Sequence, residues 1–195
     1  MTEESHPAVT DIAEEASPGD RRAAVQAAVV PAQPSRRGPA WGVFIGLAIL
    51  VFVVDQLAKS WIVAHVAPGQ FVEVVGEYVR LTFSQNNGAL FGLFSSSAVL
   101  FALGSLVVLV LIVWYHARAP RNLLLSIALG LLLGGATSNL VDRLRIGYVV
   151  DFIDIGIGSL RFFTFNIGDS AISLAILLLL LLALRSEGRP VPSSG

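Results

Sequence analysis

Four apolar runs, at about 41–66, 98–115, 123–141 and 170–184, leave this chain few ways to fold. In hydrocarbon no water satisfies backbone N–H and C=O groups, so a spanning segment must satisfy its own, and an isolated apolar run does so as a helix. A core about 30 Å thick needs about 20 residues of helix. Composition agrees: 54% of residues are hydrophobic and 14% charged, against about 25% charged in soluble domains. The expected fold is an α-helical integral membrane protein of four transmembrane helices. A small β-rich region outside the membrane and a disordered N-terminal tail complete it.

Residues 1–40 are rich in Ala, Pro, Ser and acids and hold no apolar run that would pack, which reads as a disordered cytoplasmic tail. The first apolar run follows too late, and lacks the small-residue cleavage pattern, to be a secretory signal peptide. Residues 41–187 form the expected membrane domain, and 188–195 a short cytoplasmic tail. Arg36 and Arg37 precede the first span, Arg118 and Arg121 lie between the second and third, and Arg185 and Arg189 follow the fourth. Cytoplasmic loops carry the excess of Lys and Arg, so both termini are expected in the cytoplasm. Arg143, Arg145 and Arg161 break that rule in the second outer loop. Residues 68–94 alternate apolar and polar side chains around Gly76 and break at Asn86, Asn87 and Gly88, the pattern of short strands on the outer surface. The run from Tyr148 to Ile153 reads as another strand, Gly156–Ser159 as a turn, and Leu160–Phe165 as the returning strand.

The polar residues in and beside the spans fall in one layer. Counting from Arg37, Asp55 lies about 27 Å and Lys59 about 33 Å along the first helix at about 1.5 Å per residue. From Arg121, Asn139 lies at about 27 Å and Asp142 at about 32 Å; from Arg185 backwards, Asp169 lies at about 24 Å. Ionisable groups at membrane depth are costly and are functional candidates by default. Asp55 and Lys59 have the i,i+4 spacing of a helical ion pair, although a lysine reaching for the interface beside an unrelated acid has the same spacing. Asp142 shares a helix face with Asn139, and Arg143 follows it as a candidate partner. Asp169 heads the fourth helix, where free N–H groups and the dipole favour an anion.

Asp142, Asp151, Asp154 and Asp169 are half of the acids beyond residue 40. Folding the hairpin back would carry Asp151 to the head of the fourth helix, beside Asn166 and Asp169. Two carboxylates held together share a proton, and such a pair can activate water with one member and protonate a leaving group with the other. The chain has no Cys, three scattered His and no metal-binding motif, so the residues favour this hydrolytic chemistry over thiolate or metal catalysis. No cofactor is expected, and a net charge of -1 offers no footprint for nucleic acid. Two rival readings stay open on the residues alone: a small transporter or proton channel, and a structural membrane partner whose acids pair with Arg143 and Arg145. The first predicts polar groups through the full depth of the spans, whose inner two thirds are nearly bare of them. The second leaves Asn86, Asn139 and Asn166 unexplained.

DQLAKSW at 55–61, NNGALFG at 86–92, GGATSNLVDRLRIGYVVDFID at 134–154 and FNIGDSAI at 165–172 resemble, in order and spacing, the motif blocks of lipoprotein signal peptidase (signal peptidase II). The resemblance extends over about residues 41–185. It implies an aspartic endopeptidase of the bacterial cytoplasmic membrane with its active site near the extracytoplasmic face. Asp151 and Asp169 would be the catalytic pair. Asn86, Asn139, Arg143 and Asn166 would position substrate and pair, Asp142 would be a supporting acid, and Asp55 with Lys59 a fold-stabilising pair. The implied substrates are diacylglyceryl-modified prolipoproteins, cut on the N-terminal side of the lipidated cysteine, with membrane lipids as further partners and globomycin as an inhibitor. Three positions depart from the usual pattern: Leu90 stands where alanine is common, Ser138 where glycine is, and Gly168 where alanine precedes the catalytic aspartate.

Overall fold

A computed structural model of the protein describes residues 38–87 and 98–187. The expectations for the tail at 1–37, for the motif stretch 88–92 with Leu90, and for the tail at 188–195 lie outside the described residues. In order, the elements are α1 (Trp41–His65), β1 (Phe71–Val75), β2 (Val79–Asn86), α2 (Ala98–Arg118), α3 (Leu123–Ile146), β3 (Val149–Ile157), β4 (Leu160–Arg161) and α4 (Ile167–Glu187). By length and composition α1, α3 and the stretch 167–185 of α4 can cross a membrane. The apolar part of α2, Leu103–Arg118, is shorter. The expected four-helix membrane architecture is therefore present, with three full-length spans and one shorter apolar helix among the described residues.

Helix α3 is the central element, packed against α1, α2 and α4. Its glycines allow this. A Cβ on Gly134 would stand 2.5 Å from the Ala48 carbonyl oxygen, and one on Gly135 would run into the Gly168 carbonyl. Small residues let helix backbones approach where lipid offers no hydrophobic drive for association. At the end of the bundle where α2 meets α3, the buried His116 stacks on Phe44 with ring centroids 4.0 Å apart, and its Nε2 lies 3.1 Å from the Ser126 hydroxyl. Most apolar side chains on the outer faces of α1, α2 and α4 remain exposed, as helices surrounded by lipid require.

At the opposite end the four strands form one antiparallel sheet in the order β1-β2-β3-β4. Gly76, with φ 48°, makes the first turn, as expected. The second hairpin differs from its sequence reading. β3 continues through Gly156 to Ile157, the turn sits at Gly158 (φ 56°), and β4 has only two residues. Beyond it the Phe162 N–H donates to the Ile155 carbonyl at 2.7 Å, and Phe165 bridges Ile153. Gly156 is thus a strand residue. A Cβ there would lie 2.5 Å from the Leu160 carbonyl oxygen and 2.7 Å from Arg161 Cδ, so glycine is what lets the returning chain lie close. The core under the sheet is Ile62 and Val66 from the end of α1 against Val150 and Phe152 of β3.

Candidate active site

Asp151 sits in β3 and Asp169 in the first turn of α4, and three asparagines join them. Asn166 donates from Nδ2 to Asp151 Oδ1 at 2.7 Å, and its own Oδ1 accepts the Asp169 backbone N–H at 2.8 Å. Asp169 Oδ2 in turn accepts the Asn166 N–H at 3.3 Å. This reciprocal arrangement is a capping box, which satisfies free N–H groups at the helix head and fixes the Asp169 side chain. Asn139, on α3, donates from Nδ2 to Asp169 Oδ1 at 2.8 Å. Asn86, at the end of β2, donates to Asp151 Oδ2 at 2.9 Å. Every oxygen of the two carboxylates therefore has an N–H donor.

A second, deeper layer fixes the first. Lys59 Nζ is 2.7 Å from Asp55 Oδ2, 2.8 Å from Asp142 Oδ2 and 2.8 Å from Asn139 Oδ1. The Asn139 oxygen also accepts from Asn166 Nδ2 at 3.2 Å. With two donors on its oxygen, the Asn139 amide has only one workable orientation, and its NH2 must point at Asp169. Asp55 further accepts the Ser138 hydroxyl at 2.6 Å and the Gly168 N–H at 3.0 Å, tying α1 to both α3 and α4. Asp142 accepts from Gln56 Nε2 at 2.7 Å and from the Val150 N–H at 3.3 Å, which anchors the strand one residue before Asp151.

These contacts correct one expectation. Asp142 does not pair with Arg143; its partners are Lys59 and Gln56, because successive helical residues point about 100° apart and Asp142 faces α1. Arg143 instead donates to the Asn139 carbonyl at 3.2 Å. Asp154, of the same acidic stretch, is not brought to the pair: it takes the Arg161 guanidinium at 2.9 Å. Gln56 and Ser138 were missed as site residues. The available signal was an uncharged polar side chain inside an apolar span at the depth of Asp55. Gly168 packs backbone to backbone against Gly135, and a Cβ there would meet Asp55 Oδ2 at 3.2 Å and the Gly135 oxygen at 3.2 Å.

Burial pushes the Asp151 carboxyl up to about 6, and the nearby Asp169 charge adds to the rise, while hydrogen bonds from Asn86 and Asn166 and the Lys59 charge oppose it. No group of three or more His, Asp or Glu able to hold a metal ion occurs among the described residues. What the arrangement can do is hold two carboxylates in fixed orientation at the rim of an apolar bundle, with one titrating near neutrality.

Comparison with known proteins gives one answer. A family model described as signal peptidase (SPase) II matches residues 47–185. A lipoprotein signal peptidase of Moorella thermoacetica is 39% identical over 150 residues, 75% of this chain and 97% of that protein. Its counterpart from Syntrophomonas wolfei is 38% identical over 74% of this chain and 91% of its own length. The Staphylococcus aureus protein is 33% identical over 74% and 89%. A solved bacterial membrane enzyme structure superposes with a TM-score of 0.75 at 29% identity, covering 83% of this chain and 99% of that one. A second does so with 0.72 at 32% identity, covering 77% and 98%. With the family match running through all four helices and both carboxylates, this chain belongs to the signal peptidase II family and is a membrane-embedded peptidase.

Proposed function

We propose that the chain removes signal peptides from diacylglyceryl-modified prolipoproteins as an aspartic endopeptidase, cutting on the N-terminal side of the lipidated cysteine. The observation that carries this reading is the pair Asp151 and Asp169, joined through Asn166 by bonds of 2.7 and 3.3 Å at the head of a membrane helix. The two carboxylates share one proton. The ionised member takes a proton from water as it attacks the scissile carbonyl; the protonated member donates to the carbonyl oxygen and, later, a proton reaches the leaving amine. A group that titrates near 6 suits both exchanges close to neutral pH. Asn86, Asn139 and Asn166 hold the carboxylates, Arg143 lies beside them, Asp142 supports the strand, and Asp55 with Lys59 stabilises the bundle.

A diacylglyceryl anchor brings the scissile bond to the membrane surface, the layer in which these acids lie. We assign residues 41–187 to the peptidase domain, with both termini cytoplasmic and the dyad at the extracytoplasmic face. Arg118, Arg121 and Arg185, at the bundle end opposite Asp169, support this orientation, since cytoplasmic loops carry the excess of Lys and Arg. Inhibition by globomycin belongs to the same reading. The test is a gel-shift assay with one prolipoprotein in two forms. The diacylglyceryl form is expected to be cut far faster, since acyl burial contributes about 0.8 kcal/mol per methylene. Equal rates for both forms would remove the lipoprotein-specific assignment.

A further inference from the structure

Of the three arginines that break the charge bias, Arg161 pairs with Asp154 and Arg143 bonds the Asn139 carbonyl. Arg145 is exposed, and no acid among the described residues pairs with it. It ends a stripe on α3, Thr137, Val141 and Arg145, that meets a stripe on α1, Ile45, Ile49, Phe52, Gln56 and Ser60, both at helical spacing. Two hollows lie in line along the seam between them. The inner one, about 290 Å³, is bordered by Ile45, Ile49 and Phe52 against Thr137 and Val141. The outer one, about 260 Å³, is bordered by Gln56 and Ser60 against Asp142 and Arg145. Both lie away from the dyad. Thr137 is two residues from Asn139 and Arg145 two from Arg143, about 200° round the helix, which turns the seam away from Asp169 and α4. Val150 also lines the outer hollow, and neighbours on a strand point to opposite faces, so Asp151 points elsewhere.

We propose that this seam holds one anionic phospholipid, with an acyl chain in the inner hollow and its phosphate on Arg145. The lining changes from apolar to polar along its length, as an amphiphile does. Ile49 and Ser60 are separated by about 16 Å of helix, close to the half-thickness of about 15 Å of the hydrocarbon core. A lipid whose chain fills the one hollow therefore places its headgroup at the other. Charge selects the headgroup: a guanidinium matches a phosphate bidentately, and basic pockets between membrane helices hold anionic headgroups. Asp142, in the same lining, is already taken by Lys59, Gln56 and the Val150 N–H, so Arg145 is the unpaired charge at the mouth. A lipid bound there covers the α1–α3 seam over Asp142, the acid that anchors the strand before Asp151.

The chain contains no Cys, so single labels are clean. Ile49→Cys in the seam and Ile176→Cys on α4, both exposed and at similar depth below Asp55 and Asp169, would each carry a fluorophore in the full chain, in phosphatidylcholine vesicles. Phosphatidylglycerol brominated on its acyl chains is expected to quench the label at 49 at a several-fold lower mole fraction than phosphatidylcholine brominated in the same way, with no such preference at 176. Arg145→Gln, an exposed change checked by unaltered melting, is expected to abolish the preference at 49. Equal quenching by the two lipids at 49, or a preference that survives Arg145→Gln, overturns the proposal. So does relief of quenching by inorganic phosphate, which would make Arg145 a site for the free ion. Relief by a lipidated precursor would make the seam a substrate surface, and relief on raising the protein density in the vesicles would make it a contact between copies; either result overturns it too. No arm requires cleavage, so the outcome is separable from the proposed activity.

Discussion

Lys59 has three protons to donate and meets three acceptors, on Asp55, Asp142 and Asn139. The Asp55–Lys59 half of this was legible, because i,i+4 spacing is a property of one helix. The Asp142 half was not, since contact across helices depends on how α3 is rotated against α1, and adjacent Arg143 was a misleading neighbour. Replacing Lys59 with Met strands two buried carboxylates. We expect Lys59→Met to lose about 3–5 kcal/mol of stability, read as a large drop in melting temperature in detergent.

Asp151 predicts a pH signature with a definite sign. Its carboxyl titrates at about 6 in the folded protein and near 3.9 unfolded, so the folded state binds the proton more tightly. Stability is therefore greatest below about pH 4 as far as this group is concerned, and falls as pH rises through the window up to about 6. Asp151→Asn carries no such charge. Its melting temperature is expected to lose that part of the decline, so that the variant gains on the wild type between pH 4.5 and pH 7. Parallel curves for the two proteins would show that Asp151 is not held in a protonation-favouring site.

At the scale of elements, helices were read well because hydrophobic length alone defines them in lipid. The strands around Gly76 were equally clear, since alternation and a turn residue coincide there. Gly156 was misread as a turn because a glycine required for close approach looks, in sequence, like a glycine required for positive φ. The same ambiguity hid the contact between Gly135 and Gly168, where α3 and α4 touch backbone to backbone. Gly135→Ala forces that contact apart and is expected to cost about 1–3 kcal/mol, lowering both melting temperature and activity. Gly104→Ala on α2, where a Cβ meets nothing within 4 Å, serves as control and is expected to be neutral or slightly stabilising. If the two substitutions behaved alike, close packing of α3 on α4 would not be what the glycine serves.

For the molecule as a whole, the depth counts succeeded because a bilayer turns sequence position into height. Asp55, Lys59, Asn139, Asp142 and Asp169, counted separately along three helices, meet in one connected cluster. Asp151 belongs to no span and had no depth to count, so its place depended on the hairpin and was legible only in outline. Gln56 and Ser138 carried no charge to draw notice, although they bind Asp142 and Asp55. The two carboxylates, of β3 and of α4, are the groups on which the proposed proton transfer converges. The most direct measurement is turnover of a lipidated prolipoprotein by Asp151→Asn and Asp169→Asn, each shown by circular dichroism and melting to remain folded. Loss of cleavage in both variants is the predicted result, and near-normal turnover in either one would contradict the shared-proton mechanism.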